Sequence, residues 1–129
     1  MRKCIDTLEA SYAGLIAIED EQSLEYEIYR NSLVKAFELT LEQSAKVLKK
    51  ILIPYFATKR QADQLTFKDI FRYSSKYGYL DCEHVERWFS YRNNRNSTTH
   101  DYGRDFAEET VDLALQLIAD ARHLVEVLQ

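Results

Sequence analysis

Apolar residues recur along this chain at intervals of three and four, the spacing that places them on one face of an α-helix. The first stripe is Met1, Ile5, Leu8, Tyr12 and Leu15. It fades in the acidic stretch Glu19-Asp20-Glu21, and a turn is expected near Gln22–Ser23. A second stripe, Val34, Phe37, Leu41, Ala45, Leu48 and Leu52, predicts a helix from about Leu24 to about Ile53. At about 1.5 Å per residue that helix is about 45 Å long. Pro54 cannot continue it, because proline lacks the N–H and its ring clashes with the preceding turn.

Residues 55–65 carry no clear period and read as a loop. Thr66 and Asp69 have the form of a capping box with a shorter acid than the usual Glu. A short helix is therefore expected over 67–77, closed by Gly78 in a left-handed conformation. Asp81 is placed to cap the next helix, whose apolar face is Val85, Trp88 and Phe89. Arg92 to Asp101 contains no apolar residue. After Gly103 the stripe resumes with Phe106, Thr110, Leu113, Leu117, Ala121, Leu124 and Leu128, which predicts a last helix from about Arg104 to Leu128.

Four substantial helices and one short one need a common interior. An antiparallel up-and-down four-helix bundle with one additional short helix supplies it, so the expectation is an all-α single domain over residues 1–129. Composition agrees. Three Gly and one Pro among 129 residues are too few for the many turns of a sheet protein.

Charge and cysteine usage narrow the function. The net charge is −4 and no lysine-rich or arginine-rich run is present. Contact with nucleic acid must then use a local basic site, and DNA is not expected as a partner. Cys4 and Cys82 stand far apart with no metal-ligand spacing around them. Two reduced thiols, no metal and no cofactor are expected. No apolar stretch approaches the ~20 residues needed to cross a bilayer. The N-terminus turns acidic too early for a signal peptide. A cytoplasmic protein without membrane contact is expected.

The segment from Tyr91 to Tyr102 breaks the pattern. It combines Arg92, Arg95, His100 and Tyr102 with Asn, Ser and Thr, which compete with helix formation by bonding nearby backbone. Arginine offers a permanent charge and a forked donor suited to phosphate. Histidine exchanges a proton near neutral pH. Together they meet the needs of metal-free phosphodiester cleavage. Residues five apart on a helix lie about 140° apart around its axis, so Arg95 and His100 do not share a stripe. Arg92, Asn96 and Thr99 do, as do Asn96 and His100. The same residues also fit a solvated loop, with His100 a helix-terminal surface histidine, Arg95 the partner of a nearby acid and Tyr102 a packing residue. His84 and His123 are expected on the surface, and Trp88 in the core or an interface.

Arg95-Asn96-x-x-x-His100-x-Tyr102 resembles the Arg…His signature of HEPN domains. More narrowly it is similar to the form found in HepT-like toxins and in nucleotidyltransferase substrate-binding proteins. Phe37-Glu38-x-Thr40-x-Glu42-x-x-x-Lys46-x-Leu48-Lys49 is similar to that family's second helix, departing from it at Ala45, where many substrate-binding relatives carry an aromatic residue. The resemblance implies a homodimer whose Arg…His motifs face each other across a cleft. For toxin members it implies a metal-independent endoribonuclease of a toxin–antitoxin pair, acting on RNA, tRNA among the candidates. His100 would then be the general base or acid, Arg95 the stabiliser of the scissile phosphate, and Arg92 and Asn96 substrate-binding or orienting residues. A nucleotidyltransferase antitoxin of the MNT type would be the partner and would transfer AMP to Tyr102. The leading expectation is this ribonuclease toxin. Its alternatives are a non-enzymatic substrate-binding subunit of a two-component nucleotidyltransferase and a plain helical dimerisation module.

Overall fold

Among the described residues the chain forms six α-helices and one 3-10 turn and no strand. They are α1 (Arg2–Ile16), α2 (Leu24–Leu52), the 3-10 turn Ile53–Tyr55, α3 (Lys59–Asp63), α4 (Phe67–Lys76), α5 (Cys82–Asn96) and α6 (Arg104–Val127). The computed structural model describes residues 1–96 and 104–128, with side chains for all of these except 95–96 and 104–107.

Local chemistry sets the boundaries. Ser23 caps α2 by accepting from the Tyr26 N–H at 3.1 Å. Thr66 and Asp69 form the reciprocal capping box of α4. The backbone and side-chain bonds from Thr66 hold the Asp69 carboxyl below its ordinary pKa. Asp81 opens α5 by accepting from the His84 N–H at 2.8 Å, and that bond lowers its pKa in turn. Gly78 follows α4 at φ 84°, the conformation expected of it. Two differences have physical causes. Within the expected loop, Thr58 caps the short α3 by accepting from the Gln61 N–H. Arg92–Asn96 continues α5 because Asn94 is buried and donates from Nδ2 to Thr110 Oγ1 at 3.1 Å.

The interior decides how these helices stack. Fully burying one large apolar side chain is worth roughly 1.5–3 kcal/mol, against about 1 kcal/mol for a cap. Caps therefore fix where helices begin, and the core fixes how they meet. α2 packs against α1, α4, α5 and α6, so it buries more than one stripe. Leu33, Ala36, Thr40 and Ser44 join Phe37, Leu41, Leu48 and Leu52 inside. The Thr40 and Ser44 hydroxyls donate to the carbonyls one turn earlier, of Ala36 and Thr40, at 2.8 and 2.7 Å. Trp88, Tyr91, Phe37 and Phe71 are the largest buried side chains, with Phe71 stacked on Trp88 at 5.1 Å.

Helix directions follow from the pairs that meet. Ser11 meets Ser32 and Gly14 lies against Tyr29, so α1 and α2 are antiparallel. Asp6 meets Arg122 at one end of α6, while Leu15, Ile16 and Val111 share a cleft at the other. α1 therefore runs antiparallel to α6 as well. No described helix is long and apolar enough to cross a membrane.

Gly14 permits the close approach of α1 and α2: a methyl group there would overlap the Tyr29 ring. Gly14→Ala is expected to cost about 1–3 kcal/mol, the usual range for overpacking, seen as a lower urea midpoint. An unchanged midpoint would mean that the ring swings aside without cost.

Candidate functional site

α5 and α6 flank in sequence the segment that carries the motif, and a buried carboxylate sets how the two helices meet. Asp120 of α6 is 4% exposed. Arg87 of α5 donates to it twice from Nε, at 3.2 and 2.9 Å, and once from Nη2 at 3.0 Å. The Tyr91 O–H donates to the same carboxylate. Asp120 holds the Arg87 guanidinium above its ordinary pKa. Burial first, and then the bond to Asp120, push the Tyr91 phenol far above the usual tyrosine value. The Tyr91 ring meets Phe37 edge-on at 6.1 Å and Trp88 at 5.6 Å, so a polar clasp is built into the aromatic core.

The clasp repeats along the seam. His84 stacks on His123 at 4.1 Å at the start of α5, and Asn94 bonds Thr110 near its end. Both histidines are half-buried rather than on the surface, and His84 Nδ1 lies 2.7 Å from the Asp81 carboxylate. Among the described residues no group of three or more His, Cys, Asp or Glu side chains is arranged to hold a metal.

The motif residues divide at the end of α5. Arg92 is half-buried, with its guanidinium carbon 5.5 Å from the centre of the Phe67 ring, a cation–π contact to α4. Arg95 and Asn96 lie in the last turn of α5, one turn beyond Tyr91 and Arg92. Their side chains, and His100 and Tyr102 altogether, lie outside the described residues. Beside the first turns of α6 a cleft of about 410 Å³ is lined by Glu21, Tyr26, Glu108, Val111 and Asp112. Its described walls are therefore acidic.

Sequence reasoning passed over Arg87, Tyr91 and Asp120. A signal was present, because Asp120 falls three residues after Leu117 and four before Leu124, inside the apolar stripe of α6. A carboxylate in that position needs a partner from another helix. Tyr91→Phe keeps the ring packing and removes one bond to a carboxylate, at an expected cost of about 1–2 kcal/mol. The folded-state pKa of Tyr91 is raised, so its contribution is complete below the unfolded tyrosine pKa of ~10 and is lost as pH rises beyond it. Melting curves of the wild type and the variant should converge in that alkaline range. Curves that stay parallel throughout would rule out this role for the phenol.

Solved structures share the fold. A protein of Thermus thermophilus aligns with a TM-score of 0.74 and 21% identity, over 99% of this chain and 98% of that one. A Haemophilus influenzae protein, described as having the fold of a substrate binding domain of a nucleotidyltransferase, aligns with a TM-score of 0.71 and 23% identity, over 96% and 98% of the two chains. Comparison with curated protein sequences gives no match. The family described as nucleotidyltransferase substrate binding protein like matches residues 3–129. That match overturns the expected endoribonuclease and points to a non-catalytic subunit. Matched over nearly its whole length, the chain belongs to the nucleotidyltransferase substrate binding protein like family.

Proposed function

We propose that this protein is the substrate-binding, non-catalytic subunit of a two-component nucleotidyltransferase. The observation that carries the reading is the family match across residues 3–129, which takes in every helix of the bundle. The surface chemistry supports a partner protein. Ile16, the last residue of α1, is 64% exposed, and Leu24, the first of α2, is 71% exposed. Ile28, one turn further on, is 58% exposed. Three large apolar side chains around one helix connection are costly to leave in water, and a docked chain removes that cost.

This connection stands beside the first turns of α6, where Glu21 and Tyr26 share a cleft with Glu108 and Asp112. The transferase is proposed to dock there. Arg92, Arg95, Asn96, His100 and Tyr102 then serve as polar contacts near the junction of the two proteins. The HEPN resemblance adds self-association to this reading, with the chain working as a homodimer.

The test is size-exclusion chromatography with light scattering on this protein mixed with a purified nucleotidyltransferase from the same source. A stable complex is expected. Leu24→Glu with Ile28→Glu should weaken it at least about tenfold, because a carboxylate buried against an apolar contact costs about 1.4 kcal/mol or more. A wild-type chain that elutes alone at every concentration would overturn the proposal.

A further inference from the structure

Away from the motif, the C-terminal part of α2, the 3-10 turn and α3 enclose a cleft of about 400 Å³. Lys46, Lys49, Lys50 and Lys59 line it, in a chain whose net charge is −4. Its apolar lining includes the half-buried Val47 and Ile53. Asp63 is the one carboxylate in the described lining, and it is engaged with Lys49 Nζ at 3.3 Å. Among the described residues no carboxylate stands within ion-pair distance of Lys46, Lys50 or Lys59. Glu42, one turn before Lys46 on the same helix, is not part of the lining.

Helix electrostatics account for only half of this cluster. Lys49 and Lys50 lie in the last turn of α2, where cations are favoured. Lys46 lies earlier, and Lys59 is the first residue of α3, the end at which an acid is favoured. Four ammonium groups round one cleft with a single carboxylate among them leave an excess of positive charge, which a bound polyanion would neutralise. The lysine stems add methylene surface beside Val47 and Ile53. Cationic tips around an apolar lining suit a ligand with phosphates at one end and a flat ring at the other. The volume falls in the range of small-molecule sites, roughly 300–1,000 Å³, and favours a small ligand over a polynucleotide.

We infer that the α2–α3 cleft binds a nucleoside polyphosphate, its phosphates held by Lys46, Lys50 and Lys59 and its ring against Val47 and Ile53. The choice of a nucleotide among polyphosphates rests on the proposed role beside a nucleotidyltransferase; the anion site itself rests on the cleft.

The test is isothermal titration calorimetry of the full chain with ATP, inorganic triphosphate, adenosine and a short single-stranded RNA, at low and at physiological salt. ATP is expected to bind more tightly than triphosphate, and adenosine not measurably. Lys46→Ala with Lys50→Ala should weaken ATP at least about tenfold, by loss of two charge-assisted contacts. Lys46→Arg with Lys50→Arg should keep most of the affinity, and circular dichroism of both variants should match the wild type. No ATP binding by the wild type, or equal binding by the alanine variant, would overturn the assignment. RNA binding tighter than ATP at the same lysines would overturn it in favour of a polynucleotide. The transferase complex is measured without nucleotide, so loss of this inference leaves that reading standing, whereas loss of that reading leaves the anion site standing without its reason for a nucleotide.

Discussion

Asp120 lies between two helices with almost no access to water, and a carboxylate in such a place has to be answered by donors from the facing helix. Arg87 and Tyr91 are one turn apart on α5 and both reach it. This meeting fixes the register of α5 against α6. The stacked histidines lie towards one end of the same seam and the Asn94–Thr110 bond towards the other. The direction in which α5 delivers Arg92, Arg95 and Asn96 is a consequence of that register. Breaking one partner away would strand a buried polar group, so the clasp favours a single arrangement of the two helices.

α2 shows how one helix can serve stability and surface chemistry together. Its first turn carries Glu25 and Glu27 and its last turn Lys49 and Lys50, the distribution that complements the helix dipole. The same distribution places an acidic character near the α1–α2 connection and a basic one near α3. Two clefts near opposite ends of the helix differ in the side chains that line them, Glu21, Glu108 and Asp112 in one and four lysines with Asp63 in the other. A chain with a net charge of −4 thus carries two clefts of unlike lining. Bulk charge reported only the average.

The ribonuclease expectation shows what a short motif can carry. Arg95, His100 and Tyr102 supply side chains of the right chemical types, yet cleavage depends on where they converge and on what surrounds them. Residue types in a short segment cannot distinguish a catalytic site from a contact surface built on the same helices. The family match over residues 3–129 weighs the whole chain, and it is what speaks against the ribonuclease.

The all-helical class, the α2 boundaries, the Thr66–Asp69 capping box, the Asp81 cap and the left-handed Gly78 were all determined by the sequence alone. Each depends on residues within about one turn of each other or on a period repeated along one helix. Packing decided the rest. Arg87 and Asp120 stand 33 positions apart, and nothing local names them as partners. Lys49 and Asp63 meet because the chain turns back at the 3-10 turn holding Pro54 and sets α3 beside the end of α2. Tyr91, at the head of a polar run, becomes core because Phe37 and Trp88 surround its ring. Local preferences act through covalently near neighbours. Buried partners and shared clefts arise from distant segments, whose meeting is set by the shapes of several helices at once.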